Sequence, residues 1–238
     1  MTPKTEWAAQ TDVGLLRDHN EDAFFIDEQL GVGFVADGMG GHEAGEVASA
    51  LAVETVQAQV REGVALKDAL LKAHKAIVAH PNGGSRRRGM GTTGVAIQVQ
   101  NNQVEVAWVG DSRAYLFDGE KLYPMTKDHT PVQELVDEGK LTAEAARVHP
   151  RRNEITQALG VGIGGKIVPS VARAYFGAGS VVLLCSDGLT EHLSDAQIAE
   201  VLGRGTRPLE KAAERLVQAA LAGGGSDNVT VVLVKAVS

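Results

Sequence analysis

Short apolar runs typical of β-strands occur in blocks, and pairs of helical patterns separate these blocks. Strands predicted at 7–11, 23–27 and 32–36 precede two predicted helices, 44–60 and 66–79, in which apolar residues recur at helical spacing. Further strands are predicted at 94–99, 104–109, 114–117, 121–125, 168–176, 180–186 and 229–234, with helices at 195–202 and 208–222 before the last strand. This order is not a βαβ repeat. It predicts an α+β fold in which two sheets are covered by helices.

The segment from Asp128 to Arg152 differs from the rest of the chain. It is polar, helical in composition and poor in residues that could fill a core. We interpret residues 1–238 as a single domain that carries a small flap at about 128–152, because this segment lacks the apolar residues that a second domain would need.

The composition of the chain limits which kinds of partner and environment we expect for it. The 238 residues carry a formal net charge of -7 without a long run of one sign, which argues against nucleic acid and a polybasic membrane anchor. The single cysteine, Cys185, lies in an apolar run and is expected in the core. The first residues lack the apolar core of a signal peptide, and no apolar stretch is long enough to span a bilayer. We therefore expect a soluble, cytoplasmic, monomeric protein.

Four aspartates are predicted at the ends of apolar strands. Asp37, Asp111 and Asp187 each follow such a strand, and Asp227 comes just before one. Carboxylates at strand ends are held by the sheet yet can point into a cleft, and hard cations such as Mg²⁺ and Mn²⁺ prefer oxygen ligands. Any one of these aspartates could serve only as a turn residue. Four in one short chain favour a carboxylate metal cluster.

Two charged or glycine-rich segments accompany these aspartates. In the first, Arg17 could bind a phosphate through two hydrogen bonds, and Glu21 and Asp22 could accept hydrogen bonds from metal-bound waters. A solvated loop is the alternative. In the second, residues 37–42, dense glycines allow close approach of a ligand, and Gly38 could offer its carbonyl to a metal. An anion site at the following helix is also open, but the absence of Gly-Lys-Ser/Thr excludes a P-loop.

Six short motifs occur in an order that is far more specific than any one of them. They are Arg17–Asp22, Val35–His42, Met90–Thr93, Val109–Arg113, Cys185–Leu189 and Ser226–Thr230. Together they resemble the bacterial branch of the metal-dependent protein phosphatases, the PPM or protein phosphatase 2C family. The resemblance implies a central antiparallel β-sandwich flanked by two pairs of antiparallel helices, with a small flap.

The same resemblance implies a role for each metal-site residue. Asp37 would bridge two metal ions, with Gly38 contributing its carbonyl, and Asp187 and Asp227 would bind the first ion. Asp111, together with Asp187, would hold a third ion. The cofactors implied are therefore two or three Mn²⁺ or Mg²⁺ ions.

The resemblance also assigns the residues around the metal ions. Arg17 would hold the substrate phosphate, and Glu21, Asp22 and Asn228 would act around the ions, largely through water. A metal-activated water would hydrolyse phosphoserine or phosphothreonine, and the implied partners are a serine/threonine kinase and its protein substrates.

The proton donor for the leaving alkoxide is not identified by the motifs. Met39 stands where eukaryotic members carry a histidine, and methionine cannot act as an acid. His42 is the nearest candidate, with a structural role for His42 and a metal-bound water as alternatives. Two other functions stay open: a non-enzymatic binding module of the same fold, and a phosphatase for a small phosphoester.

Overall fold

A computed structural model describes residues 4–40, 44–81, 90–161, 166–205 and 208–237. Its strands form two antiparallel sheets that pack face to face, and helices cover the outer face of each sheet. His42 and the basic cluster at 86–88 lie outside the described residues. The described part of the chain contains no helix long and apolar enough to cross a membrane.

The first sheet joins the two ends of the chain. Its strands are β1 (Lys4–Asp12), β7 (Arg113–Phe117), β8 (Leu122–Pro124), β10 (Val181–Cys185) and β11 (Val229–Val237). They lie in the order β1-β11-β10-β7-β8. Strands β1 and β11 pair over their full length, from Lys4 opposite Val237 to Asp12 opposite Val229.

The strands of the second sheet are β2 (Asp22–Asp27), β3 (Val32–Met39), β4 (Gly91–Thr92), β5 (Gly94–Gln100), β6 (Gln103–Val109) and β9 (Ser170–Tyr175). They lie in the order β2-β3-β5-β6-β9, with the short strand β4 paired to β3. Asn101 and Asn102 form the turn between β5 and β6, and both have positive φ, a conformation that asparagine tolerates better than most residues.

Apolar side chains from both sheets fill the space between them. Val35 and Ile97 of the second sheet belong to the same buried cluster as Leu184 and Val232 of the first. The Trp7 side chain belongs to the same cluster, and a Cβ placed on Gly33 would lie 2.8 Å from the Trp7 ring. The glycine therefore makes room for the tryptophan, and the two sheets pack as a sandwich.

Two groups of helices cover the sandwich. Helices α1 (Ala44–Arg61) and α2 (Leu66–Ala79) bury their apolar faces on the second sheet. Helices α5 (Asp187–Thr190), α6 (Asp195–Gly203) and α7 (Leu209–Ala222) cover the first. The predicted fold class, a central antiparallel β-sandwich with helix pairs on both sides, is confirmed.

The predicted flap contains two short helices, α3 (Pro131–Asp137) and α4 (Ala143–Arg147). The Thr130 hydroxyl accepts the Gln133 N–H at 3.1 Å at the start of α3, and Thr142 caps α4 in the same way. Val132 is the only buried residue of α3, and α4 has none. These helices are therefore held by caps and polar contacts more than by a core.

One sequence prediction about the site is wrong. We expected Asp37 to follow a strand that ends at Ala36, but β3 continues to Met39. Antiparallel pairing of Gly38 and Met39 with Thr92 and Gly91 of β4 extends the strand. Asp37 is therefore held inside the sheet, which restrains its position more than a strand end would.

Candidate metal centre

Asp37 is fixed on both sides by neighbouring strands. It lies opposite Asp22, the first residue of β2. Its N–H donates to the Thr93 hydroxyl at 3.1 Å, and its carbonyl accepts the Thr93 N–H at 2.8 Å. The carbonyl also accepts the Thr92 hydroxyl at 2.8 Å. Because both backbone groups are bonded, the position of the Asp37 carboxylate follows from the sheet.

Gly38 is required by close approach of the backbone. A Cβ at this position would collide with the Gly45 carbonyl oxygen and would lie 2.5 Å from that of Glu21. The Gly38 N–H donates to the Glu21 carbonyl at 3.1 Å. The glycine thus brings the start of α1 and the Glu21 loop against the strand that carries Asp37.

Asp187 and Asp111 come from segments that follow strands. Asp187 is the first residue of α5, directly after β10 and Ser186. Asp111 follows Gly110, which ends β6 with a φ of +104°. The Gly110 N–H donates to Nδ1 of His129 at 3.2 Å, which leaves the ring proton on Nε2, 3.0 Å from the Ser170 hydroxyl. His129 therefore holds the turn beside Asp111 in place through its hydrogen bonds.

Asp227 and Arg17 meet in the structure although 210 positions separate them. The Arg17 guanidinium donates to Asp227 Oδ2 at 2.6 Å, and about half of the Arg17 side chain is exposed. This hydrogen bond raises the pKa of Arg17 above its ordinary value. The exposed guanidinium stands at the edge of the carboxylate group, where it can meet an incoming anion.

Asn228 holds the loop that carries Arg17. Its side-chain NH₂ donates to the Val13 and His19 carbonyls, each at 2.9 Å, and its Oδ1 accepts the Glu21 N–H at 2.8 Å. The side-chain amide thus forms hydrogen bonds with backbone groups that lie before and after Arg17 in the chain. We expected Asn228 to act around the metals, largely through water, and the geometry shows which protein groups its side chain binds.

The carboxylates of the site are partly buried and repel one another. Burial, followed by the charge of Asp187, raises the pKa of Asp37 well above its ordinary value. Burial and then Asp111 raise the pKa of Asp187 in the same direction. Burial likewise raises the pKa of Asp22 to about 6 and that of Asp111 to about 7. The charges of Asp111 and Asp227 each act on both Asp37 and Asp187, so the carboxylates of the site influence one another.

These groups fit divalent cations. Asp22 is partly buried, and its Oδ2 accepts the Ser186 hydroxyl at 2.7 Å, while its Oδ1 is buried without a hydrogen-bond partner. A buried carboxylate oxygen without a partner costs free energy that a cation would offset. Among the residues that the structure describes, no three carboxylate, imidazole or thiol groups form a ready-made ligand set. The carboxylate oxygens of these residues are the donors that Mg²⁺ and Mn²⁺ prefer.

The sequence analysis missed Glu191. It is one helical turn beyond Asp187, and its charge raises the pKa of both Asp187 and Asp111. The signal was present in Asp187-Gly-Leu-Thr-Glu191, since residues four apart share a helix face. Glu191 also accepts the Asn153 amide at 2.6 Å, which joins this turn to the end of the predicted flap.

A cleft of about 570 Å³ opens beside Asp111 and Asp187. Residues of α3 and α4 line one side of it, and the segment 187–197 lines the other. At its edge, Arg113 donates to both oxygens of Asp128 at 2.8 and 2.6 Å, so the start of the predicted flap is fastened to β7.

Comparison with known proteins shows which family the chain belongs to. The family model described as Protein phosphatase 2C matches residues 7–140. The chain is 38% identical over 239 residues to the serine/threonine phosphatase stp of Listeria innocua, covering 95% of this chain and 94% of that protein. The chain belongs to the protein phosphatase 2C family. The resemblance inferred from the six motifs is confirmed.

Two further relatives of this family extend the comparison. The chain is 42% identical over 234 residues to the serine/threonine protein phosphatase PstP of Mycobacterium tuberculosis, but it spans only 44% of the length of that protein. A solved structure of the PstP catalytic domain, in complex with two manganese ions, superposes with a TM-score of 0.83 at 37% identity. That match covers 98% of this chain and 99% of the other, so the protein phosphatase 2C fold extends over nearly the whole chain.

Proposed function

We propose that this chain is a metal-dependent protein serine/threonine phosphatase that hydrolyses phosphoserine and phosphothreonine. The observation that carries the proposal is the group of mutually repelling aspartates next to the half-exposed side chain of Arg17. Such a group holds cations that attract a phosphate, and the arginine supplies planar donors for its oxygens. The names of the relatives, all serine/threonine phosphatases, point to the same substrate class.

In this proposal Asp37, Asp187 and Asp227 hold two Mn²⁺ or Mg²⁺ ions, with the Gly38 carbonyl as a further ligand. Asp111 would join Asp187 in holding a third. Bound cations supply Lewis acidity toward water and toward the phosphoryl oxygens. The two manganese ions of the PstP catalytic domain support the choice of metal.

The remaining roles belong to protein groups. Arg17 orients the phosphate by donating to its oxygens, and Glu21 and Asp22 hold water in place by accepting hydrogen bonds. Burial raises the pKa of Glu21, in keeping with a carboxylate that needs a positive environment to stay ionised. Met39 cannot give a proton, so two candidates stay open as the donor to the leaving alkoxide, His42 and a metal-bound water.

Substrate range separates this proposal from its alternatives. The purified chain with Mn²⁺ is given a phosphothreonine peptide, a phosphotyrosine peptide and a sugar phosphate at matched concentrations. We expect the phosphothreonine peptide to have the highest kcat/KM. A preference for the sugar phosphate would favour a small-molecule phosphatase, and no hydrolysis of any of the three, or of p-nitrophenyl phosphate, would favour a binding module.

The biological setting forms part of the same proposal. A cytoplasmic monomer that opposes a serine/threonine kinase would act on that kinase and its substrates. A phosphoproteome comparison between wild type and a strain carrying Asp187→Ala would identify these proteins as phosphopeptides that accumulate in the variant.

A further inference from the structure

The turn that leads to Asp227 is attached to His192, a residue that lies outside all six motifs. His192 follows α5, the helix that Asp187 begins. Its Nε2 accepts the Ser226 N–H at 3.0 Å and lies 2.9 Å from the Ser226 hydroxyl. Because Nε2 accepts a backbone N–H, the ring proton is on Nδ1. The imidazole therefore joins the residue before Asp227 to the segment that begins with Asp187.

The glycines of the turn let it approach the ring. A Cβ on Gly223 would lie 3.0 Å from the His192 Cβ, and a Cβ on Gly224 would lie 3.2 Å from Cε1. Gly224 also has a φ of +135°, which side chains rarely allow. The turn thus packs directly on the imidazole.

His192 is itself held on a fixed part of the backbone. Leu189 and Leu193, on either side of it, are buried in the layer between the first sheet and its helices. The Leu193 N–H donates to the Leu189 carbonyl at 2.9 Å. The Ser226 hydroxyl also lies 3.3 Å from Oε2 of Glu191, so its single proton has two acceptors at this junction, Nε2 of His192 and this carboxylate oxygen.

We propose that His192 is a positioning residue for the metal centre. By holding Ser226, it sets where the Asp227 carboxylate stands relative to Asp187, and so how tightly the two bind a divalent ion. The inference rests on the metal site of the proposed function. Groups that orient metal ligands typically change metal affinity by about 10- to 100-fold when they are removed.

Titration calorimetry with Mn²⁺ alone, on the full chain, tests this role. His192→Phe keeps the ring bulk and removes the acceptor, so we expect the Kd for Mn²⁺ to rise about tenfold or more. His192→Gln places an oxygen near the position of Nε2 and should keep the Kd close to that of the wild type. His192→Asn is too short to reach Ser226 and should behave like His192→Phe. His149→Gln, a change at a partly exposed histidine of the predicted flap, is the matched control.

A residue that only fills space would give a different pattern. A folded His192→Phe with the wild-type Kd would overturn the proposal. If that variant does not fold, the comparison of His192→Gln with His192→Asn decides, and equal Mn²⁺ affinities in the two would overturn it. Failure of the proposed function is distinct, because wild type would then bind Mn²⁺ with the same dependence on residue 192 and yet hydrolyse no phosphoester.

Discussion

Asp22 shows how burial acts on a single carboxylate of the site. Burial raises its pKa from the ordinary 3.8 to about 6, although hydrogen bonds from Thr230 and Ser186 oppose the rise. Between these two pH values the folded chain binds more protons than the unfolded chain. The contribution of Asp22 to the free energy of unfolding therefore falls as the pH rises from about 4 to about 6.

Asp22→Asn should stabilise the metal-free chain near neutral pH. The amide carries no charge, and it can still accept the Ser186 hydroxyl. In excess chelator, we expect the Tm difference between variant and wild type to be small at about pH 4 and to favour the variant at about pH 7. Differential scanning calorimetry across this range measures it. A wild type more stable than the variant at pH 7 would contradict the assignment of a partly buried, repelled carboxylate.

Asn228 is a residue whose effect extends over a whole loop. Removing its side chain in Asn228→Ala leaves the Val13 and His19 carbonyls and the Glu21 N–H without their partner. Unfilled hydrogen bonds of this kind cost about 1–3 kcal/mol each when buried. We expect a lower free energy of unfolding and a raised KM for a phosphopeptide, because Arg17 loses its fixed position.

Denaturant unfolding and steady-state kinetics measure the two effects of Asn228→Ala. Gln59→Ala is the control, since it removes an amide that bonds the exposed Lys72 side chain between helices α1 and α2, away from this loop. A wild-type KM in the folded Asn228→Ala chain would show that the loop does not need this support.

At the scale of elements, two exposed polar contacts join helix α4 and the residue after the predicted flap to the segment 187–197. Arg147 of α4 lies 3.7 Å from Asp195, and Asn153 donates to Glu191 at 2.6 Å. Exposed pairs contribute up to about 1 kcal/mol each. The double variant Arg147→Ala, Asn153→Ala should therefore speed hydrogen exchange of the α3 and α4 amides by roughly a few-fold to tenfold, and leave the β10 and β11 amides unchanged.

Exchange measured by mass spectrometry or NMR tests whether residues 128–152 move as a unit. Arg173→Ala, which removes an exposed ion pair with Glu105 on the second sheet, is a matched control. Equal acceleration in the flap helices and in β10 and β11 would show that this segment does not open separately from the sandwich.

Elements with a clear periodicity were predictable from the sequence. Helix α2 begins and ends where its apolar spacing predicts, and α1 differs from its prediction by one residue. Helix α5, with four residues, is too short to have a periodicity, and β4, with two, is invisible without its partner β3. The extension of β3 through Asp37 was missed for the same reason, because it depends on pairing with a distant segment.

The site was predictable as a list of residues and less so as a geometry. Motif order named the aspartates and Arg17, whose positions the fold brings together. The contacts of Asn228 with Val13, His19 and Glu21 join positions more than 200 apart in the chain, and no local pattern encodes them. His192 stands outside every motif, so only the folded turn reveals its contact.

For the whole molecule, the layer between the sheets determines stability. Gly33 lies beneath Trp7, so Gly33→Val inserts atoms where the ring already packs. Overpacking of this kind costs about 1–3 kcal/mol, and denaturant unfolding should show one cooperative transition at a lower midpoint. Gly203→Ala, where a Cβ would meet nothing within 4 Å, is the control and should change the midpoint little. An unchanged midpoint in Gly33→Val would contradict the packing of the two sheets through Trp7.

The central claim is that the aspartates of the site hold the ions that make this chain a phosphatase. Its most direct test is Mn²⁺-dependent hydrolysis of a phosphothreonine peptide by purified wild type and Asp187→Ala, with circular dichroism as a check of folding. The account predicts turnover in the wild type that chelator abolishes, and no measurable turnover in folded Asp187→Ala at any Mn²⁺ concentration tested. Near-normal turnover by Asp187→Ala would contradict it.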